Sequence, residues 1–289
     1  MFPTEILKEP FLICKDHTVS GEQFELRKAE KLDLFVTFPR PEEDKLSSYY
    51  KSEKYISHTD SKSTFFDRIY QLVKSSMLKK KLVWIEKEVP KKGNILDLGA
   101  GTGDFLLAAK KRGWEVFGVE PDNGARKLAA EKGVDLLKES EALPNEFFDV
   151  ISMWHVLEHV PDLDKQISEL QRLLKPDGLL LIAVPNFKSY DAKVYKENWA
   201  AYDVPRHLYH FSPQSMRELF EKKNFSLTSQ KGLFFDSFYV SLLSEKYRSA
   251  ATNVVKALMI GFISNLRAMK DENYSSLAYF FRKSQKGNF

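Results

Sequence analysis

The stretch "ILDLGAGTGDFLLAAKKRGWEVFGVEPD" (Ile95–Asp122) determines the fold class that this sequence predicts. It contains a short apolar run that stops at a glycine, a helical segment, and a second apolar run that ends at an acid. The same alternation continues to about residue 185. Strands that alternate with helices of about ten to fifteen residues form parallel sheets with helices on both faces. We therefore expect an α/β fold.

The glycine-rich loop after the first strand predicts a ligand site, because such sheets bind ligands at the carboxyl ends of their strands. Asp97 precedes the loop Gly99–Gly103, and glycines allow a ligand to approach the backbone closely. Glu120 ends the next strand, 19 residues after Gly101, where a carboxylate suits ribose hydroxyls. The third glycine falls one position earlier than in a dinucleotide-binding loop. An NAD-binding fold is the alternative interpretation.

These residues resemble the first two motifs of class I S-adenosylmethionine-dependent methyltransferases. The resemblance implies a Rossmann-like domain over residues 61–289, with a seven-stranded, mostly parallel sheet of order 3-2-1-4-5-7-6. It also implies S-adenosylmethionine as cofactor and S-adenosylhomocysteine as product. This cofactor has a sulfonium cation and no phosphate, which fits an acidic loop without a phosphate-binding lysine. The implied cofactor-binding residues are Asp97, Gly99, Ala100, Gly101, Thr102, Gly103, Glu120, Pro121, Glu139 and Ser140 in "KESEALP", Trp154 and His155.

The segment "MWHVLEHVPD" (153–162) has the H-x-x-E-H spacing of inverted zinc peptidases in His155, Glu158 and His159. Such a metal-binding helix would need to continue, whereas Pro161 interrupts it, so we expect no metal site. In similar methyltransferases the segment borders the methyl-transfer pocket, which makes both histidines candidate catalytic residues that could accept a proton. Two alternatives are that His159 only orders the loop with Glu158, or that both residues help to hold a divalent ion.

A second group of polar and aromatic residues lies in "NWAAYDVPRHLYHFSPQSMRELFEKKNF" (198–225). Its second half predicts a helix capped by Ser212. The preceding loop is dense in side chains suited to substrate contacts, and "PRHLYHFS" resembles the signature of one methyltransferase subgroup. Arg206 and His207 are therefore catalytic candidates, and Tyr209 is a substrate or lid candidate. The alternative is an arginine, aspartate and histidine network that only fixes the loop.

Residues 1–60 resemble the front end of that same subgroup, where many relatives carry a small zinc ribbon. Here only Cys14 remains, and Ala29 and Leu32 stand where the second cysteine pair would be, so four-ligand zinc binding is not available. We expect a degenerate zinc-ribbon-like appendage that is irregular to about residue 45. Three residues after it are candidates for a lid over the cofactor, with ordinary aromatic packing as the alternative: Tyr50, Tyr55 and His58.

The last part of the chain predicts a strand at residues 275–283, antiparallel and paired with the segment "FSLTSQKG". Between them, residues 236–273 form an insertion with the apolar stripe "ATNVVKALMIGFISNLRAM". Lys256 and Arg267 argue against a membrane span. Covering the substrate pocket is one interpretation of this helical insertion, and peripheral membrane contact is the other.

The composition is that of a globular protein, with 43% hydrophobic and 29% charged residues among 289. A net charge of +4 and scattered lysines argue against a nucleic-acid partner, and we interpret Lys79–Lys81 as a solvated helix face. One cysteine excludes an intrachain disulfide. Since neither a signal peptide nor a transmembrane segment is evident, we expect a cytoplasmic protein.

The sequence thus predicts methyl transfer from S-adenosylmethionine to a small-molecule or lipid-like acceptor. Oxygen is the preferred target atom, because histidines border the pocket in place of an asparagine-proline-proline-aromatic motif. Catalysis would come mainly from positioning, with a histidine that handles the proton. Two other functions stay open: an RNA or protein methyltransferase, and a non-catalytic, methyltransferase-like scaffold subunit.

Overall fold

The structure, a computed structural model, describes residues 5–42, 45, 47–50, 65–249 and 252–284. Its strands are β1 (Ile6–Lys15), β2 (Gln23–Ala29), β3 (Leu34–Phe38), β4 (Asn94–Leu98), β5 (Glu115–Val119), β6 (Phe148–Trp154), β7 (Leu174–Pro185), β8 (Tyr209–Phe211), β9 (Phe225–Gly232) and β10 (Ser276–Lys283). Its helices are α1 (Phe65–Glu88), α2 (Asp104–Lys110), α3 (Asn123–Glu131), α4 (Leu163–Leu173), α5 (Tyr190–Tyr195), α6 (Pro213–Glu221), α7 (Asp236–Arg248) and α8 (Val254–Asp271). Short 3₁₀ turns at residues 157–159 and 196–202 join some of them.

The larger sheet has the strand order β5-β4-β6-β7-β10-β9. Strands β4 to β7 are parallel, and β10 runs antiparallel to both β7 and β9. Residues 179–184 of β7 are fully buried, which explains their unbroken apolar run. Alternate residues of this strand join two separate cores, one under α1 to α3 and the other under α4 and α6. The expected α/β fold with helices on both faces is therefore confirmed.

The expected seven-stranded sheet is wrong for the described part of the chain, which forms six strands there. The missing strand is "VDLLK" (134–138), where only a single bridge joins Leu137 to Val119. Leu137 is 46% exposed at the edge of the sheet and has a partner on one side only. The segment therefore pairs with β5 through this bridge alone and does not form a ladder.

The N-terminal residues are not irregular, in contrast to the expectation. Strands β1, β2 and β3 form an antiparallel meander, and β8 pairs with β3 to complete a four-stranded sheet. Pro10 lies in the edge strand at a register shift, a position that tolerates a missing amide proton. Leu26 and Leu34 are fully buried in this sheet. Because β8 comes from the second half of the chain, the sheet holds the 196–208 loop against the N-terminal segment.

Helices α7 and α8 occupy the insertion before the last strand. They pack closely because Gly261 of α8 lies against α7, where a Cβ would be 2.9 Å from the Phe238 ring and 3.0 Å from the Ser237 carbonyl oxygen. The Ser237 hydroxyl donates to the Gly261 carbonyl at 3.1 Å. The helices for which positions are described include none that is long and apolar enough to cross a membrane.

Candidate functional site

The glycine loop folds over the carboxyl end of β5. The amide of Gly99 donates to the Val119 carbonyl at 2.8 Å. Gly99 has a positive φ of +70°, and a Cβ at this position would lie 2.4 Å from a methyl carbon of Val156. Gly101 also has a positive φ, +53°, but a Cβ there would meet no atom within 4 Å. One side of the loop is thus packed against the protein, and the other is open to a ligand.

Glu120 ties this loop to the next strand. Its carboxylate accepts hydrogen bonds from the amides of Gly101 and Asp122, both at 2.9 Å. Pro121 is exposed beside it, and its carbonyl accepts a hydrogen bond from Arg126 at 2.7 Å. The half-buried carboxylate is therefore held at the end of the strand in the place expected of a ribose ligand.

The residues expected near an adenine ring lie just beyond the Leu137 bridge. The Ser140 hydroxyl donates to Glu169 at 2.9 Å, whereas the exposed Glu139 forms an ion pair with Lys138 at 2.9 Å. The Thr102 hydroxyl donates to Asp104 within the glycine loop at 3.2 Å. Of these three side chains, Glu139 is the most turned toward solvent.

Asp97 is a buried carboxyl group at the end of β4. It is 3% exposed and accepts a hydrogen bond from Ser152 at 2.6 Å. Burial raises its pKa to about 7, although the Ser152 hydrogen bond and the charge of Lys81 oppose the shift. Near neutral pH this carboxyl group can therefore switch between its two protonation states when a charged ligand arrives.

Lys81 is a further candidate site residue, which the sequence interpretation missed. Lys79 and Lys80 are exposed as expected, but Lys81 is half-buried with its ammonium 3.8 Å from the centroid of the Trp154 ring. Burial lowers its pKa to about 8, against the charges of Asp236 and Asp97. A signal was present in the sequence, because Lys81 lies one helical turn before the buried Ile85.

The candidate acceptor side of the site is a group of four side chains, which we name the histidine cluster: His155, Glu158, His159 and His207. Glu158 is fully buried in the turn after β6, and its Oε1 lies 3.4 Å from His155 Nδ1. Neither Glu158 oxygen accepts a hydrogen bond from any residue in the described ranges. Burial acts to raise the pKa of Glu158, but His155 and the charges of the other histidines lower it overall. The cluster thus contains a buried anion.

His155 lies between two carboxylates. Its Nε2 is 3.1 Å from Asp236, the first residue of α7, and its Nδ1 faces Glu158. Burial acts to lower the pKa of His155, but Asp236 and Glu158 raise it to about 9. The imidazole is therefore cationic near neutral pH. The sequence offered no signal for Asp236, because it lies in the insertion, far along the chain.

The hydrogen bonds of His159 and His207 determine which nitrogen carries the proton. His159 Nδ1 lies 3.0 Å from the Arg206 carbonyl oxygen and from the Tyr50 hydroxyl, and His207 Nδ1 lies 2.8 Å from the Ala201 carbonyl oxygen. A carbonyl only accepts, so Nδ1 is protonated and Nε2 is the accepting nitrogen in each neutral ring. The rings meet edge to face with centroids 4.6 Å apart. Burial lowers the pKa of His159 to about 4.

Glu158, His159 and His207 each offer one ligand atom, and these atoms lie within 4.8 Å of one another. One carboxylate and two imidazoles are a donor set that divalent metal ions accept. The sequence analysis expected no metal at this segment. The structure leaves the divalent-ion alternative for Glu158 and His159 open, and it brings His207 to the same place.

Arg206 is fixed by protein contacts and does not line an open surface. It is 1% exposed, forms ion pairs with Asp203 at 2.6 Å and Asp16 at 3.0 Å, and donates to the Tyr49 carbonyl at 3.1 Å. These contacts join the 196–208 loop to the N-terminal sheet. They favour the loop-fixing alternative for Arg206, which acts through the position of its neighbour His207.

The lid candidates have different surroundings. Tyr50 contacts His159 through its hydroxyl, whereas Tyr209 is 1% exposed in β8, with its hydroxyl donating to the Pro161 carbonyl at 3.3 Å. Tyr209 therefore belongs to the core and not to a lid. Tyr55 and His58 lie outside the described residues.

The chain is similar in sequence to known proteins. The family described as "Methyltransferase domain" matches residues 55–230, more than half of the chain. A ubiquinone biosynthesis O-methyltransferase of Actinobacillus pleuropneumoniae is 30% identical over 173 residues, which cover 53% of this chain and 72% of the relative. One of Rhodopseudomonas palustris is 25% identical over 180 residues, covering 57% and 69%. Helices α7 and α8 lie beyond the matched family residues.

Solved structures share the fold. Phosphoethanolamine N-methyltransferase 2 of Haemonchus contortus, in complex with S-adenosyl-L-methionine, gives a TM-score of 0.54 at 19% identity and covers 87% of this chain and 62% of its own. Geranyl diphosphate C-methyltransferase of Streptomyces coelicolor also gives 0.54, at 13% identity, and covers 83% and 97%. Because these two act on nitrogen and carbon, the shared fold does not select the acceptor atom.

Proposed function

The chain belongs to the methyltransferase domain family and is an S-adenosylmethionine-dependent methyltransferase, and we propose that it methylates a hydroxyl oxygen of a small or lipid-like acceptor. The observation that carries the proposal is His207, whose Nδ1 donates to the Ala201 carbonyl, which leaves Nε2 able to accept a proton. A hydroxyl must lose its proton as it is methylated. The names of the O-methyltransferase relatives support the same acceptor atom.

We propose that the cofactor lies along the open side of Gly101, with its ribose on Glu120 and its methionine half beside Asp97. Glu120 is already aligned by two amides, so it needs little reorganisation to accept from ribose hydroxyls. Asp97 loses its proton and pairs with the α-ammonium of the cofactor. The ammonium of Lys81 pairs with the α-carboxylate of the cofactor. Three other predicted cofactor ligands are hydrogen-bonded or ion-paired to other side chains: Thr102, Ser140 and Glu139. We therefore assign them a supporting role around the cofactor and no direct contact with it.

In the proposed reaction the acceptor oxygen attacks the methyl carbon, the bond from carbon to sulfur breaks, and S-adenosylhomocysteine forms. The hydroxyl proton moves to Nε2 of His207. The positive charge that forms on His207 is stabilised by the buried carboxylate of Glu158, one oxygen of which lies within 4.8 Å of a ring nitrogen of His207. The low pKa of His159 makes that ring a weak base, so its role is to pack edge to face against His207.

The test is a comparison of acceptor atoms. The full chain is incubated with S-adenosylmethionine and a panel of phenols and alcohols, each matched by the amine of the same skeleton, and S-adenosylhomocysteine release is measured. The proposal predicts turnover with hydroxyl acceptors at least about a hundredfold above that of the matched amines, the scale of general-base assistance. Turnover restricted to amines would contradict it.

The same donor set favours a second mechanism, in which Glu158, His159 and His207 hold a divalent ion that would acidify the acceptor hydroxyl. The two mechanisms are distinguished by elemental analysis of the purified chain, followed by turnover before and after chelation. Stoichiometric metal, with activity lost on chelation and restored by the ion, would replace the histidine mechanism. Full activity in metal-free protein would exclude the ion.

A further inference from the structure

Helix α8 turns its large apolar side chains toward solvent. Seven of them are exposed, from 45% to 76%: Val254, Val255, Leu258, Met259, Phe262, Leu266 and Met269. At about 100° per residue they fall on one side of the helix, and we name this surface the α8 stripe. The stripe runs the whole length of the 18-residue helix.

The face of α8 that packs into the protein carries one large apolar residue, Ile260, and otherwise small or polar residues. Its buried residues include Gly261, Ser264 and Asn265, and the Ser264 hydroxyl donates to Asp191 at 2.7 Å. In an ordinary surface helix the apolar stripe faces the core and polar residues face water. Packing against the described part of the chain therefore does not account for the apolar stripe of α8. A contiguous exposed apolar surface of this kind marks an interaction site.

A row of cations borders one edge of the α8 stripe. Lys256, Arg267 and Lys270 lie on the side of the helix next to Met259, and Lys256 also forms an ion pair with Glu245 of α7 at 3.7 Å. Arg267 lies over the Tyr190 ring, with its guanidinium carbon 4.1 Å from the ring centroid. The one acid of the helix is Asp271, its last residue. The stripe and its basic edge form the pattern of a helix that lies in the surface of an anionic bilayer.

We propose that α8 docks parallel to an anionic lipid surface. The α8 stripe would lie among the upper acyl chains, and the basic edge would contact lipid phosphates. A second copy that paired its α8 with this α8 could cover the stripe, but it would bring only one acid, Asp271, to Arg267 and Lys270. The docking concerns attachment to a membrane, so it does not depend on the identity of the methyl acceptor.

The experiment is flotation of the full chain with lipid vesicles, without cofactor. One set is pure phosphatidylcholine, and the other contains about one third phosphatidylglycerol, an anionic lipid. The test variant is Met259→Glu with Phe262→Glu, both more than half exposed. The matched control is Ile13→Glu, an apolar residue that is 51% exposed on β1. Calorimetric affinity for S-adenosylmethionine confirms that each variant is folded.

The proposal predicts binding to the anionic vesicles that falls at least about tenfold in the double variant and is unchanged in the control. It also predicts that Lys270→Glu weakens binding to anionic vesicles and leaves any binding to phosphatidylcholine alone unchanged. A wild-type protein that does not bind to anionic vesicles would overturn the proposal. A folded double variant that binds anionic vesicles as well as wild type does would also overturn it. Light scattering that shows a dimer, dissociated by the double variant, would assign the stripe to a second copy instead.

Discussion

The two ends of the site are built in different ways. Most of the proposed cofactor end comes from one continuous stretch, in which amides of the glycine loop donate to the Val119 carbonyl and to the Glu120 carboxylate. The acceptor end joins the turn after β6, the 196–208 loop, Tyr50 and the first residue of α7. A local motif can specify a cofactor site, whereas the acceptor site exists only after distant segments have packed. The difference predicts that substitutions at the two ends separate cofactor affinity from the rate of transfer.

The largest effect is expected from Glu158→Gln, which removes the buried charge at nearly constant volume. Without the anion the imidazolium that forms on His207 is not stabilised, so the rate of methyl transfer at saturating cofactor falls about a hundredfold or more. Cofactor affinity, measured by calorimetry, stays within about twofold of wild type. If cofactor affinity and the rate of methyl transfer fell by the same factor, the cofactor end and the acceptor end would not act independently.

Glu120→Ala should give the converse result. Loss of the carboxylate removes two charge-assisted hydrogen bonds to ribose, so the affinity for S-adenosylmethionine falls about ten- to a hundredfold. The rate at saturating cofactor changes far less. Glu115→Ala is the control, because Glu115 is exposed at the other end of the same strand. Equal affinities of the two variants would exclude Glu120 as the ribose ligand.

The position of Lys81 makes a narrower prediction. Lys81→Met keeps the length of the side chain and removes its charge, so affinity for S-adenosylmethionine falls about tenfold. Affinity for 5′-methylthioadenosine, which has no carboxylate, should be unchanged. The exposed Lys79→Met variant is the control for the loss of one positive charge. If both ligands weaken equally, Lys81 does not contact the carboxylate.

The smallest effect is a pH dependence that belongs to Asp97. Burial raises the pKa of its carboxyl group to about 7, so below that pH the carboxyl group of the free protein is protonated. In the proposed complex it must lose this proton to pair with the ammonium group of the cofactor. Between pH 8 and pH 6 the affinity of wild type should fall up to about tenfold relative to Asp97→Asn. A constant ratio of the two affinities across this range would contradict the assignment.

The same raised pKa has a consequence for stability. Between the ordinary aspartate pKa of 3.8 and its raised pKa of about 7, Asp97 keeps its proton in the folded state, whereas the unfolded chain releases it. The free energy of unfolding therefore decreases with rising pH between about pH 4 and pH 7 through this group, and Asp97→Asn removes that part of the dependence. Denaturant unfolding of both proteins at the two ends of this range measures the difference.

Sequence reasoning identified what is local and periodic. The glycine loop, Glu120, and the alternation of strands with helices could be predicted, because each rests on residues that are neighbours in the chain. It misjudged Lys81, because three adjacent lysines on a helix occupy different faces and one of them points inward. It missed the β1 to β3 meander, because the partner that completes that sheet, β8, lies far along the chain.

The acceptor end could be predicted only in part. His155, Glu158, His159 and His207 were recognised as candidates, but their contacts with Tyr50, Asp236 and the Ala201 carbonyl depend on tertiary packing. Tyr209 was placed in the pocket because it stands among polar residues. In the structure all three residues of β8 are buried, and Tyr209 packs in the same core as Leu208 and Phe211.

The most direct test of the account is the single-turnover rate of methyl transfer by His207→Ala with saturating S-adenosylmethionine and a hydroxyl acceptor. His17→Ala is the control, since His17 stacks on Tyr247 outside the histidine cluster. The account predicts a rate at least about a hundredfold lower in His207→Ala, with cofactor affinity unchanged and His17→Ala like wild type. An unchanged rate in His207→Ala would contradict the central claim that this imidazole accepts the proton.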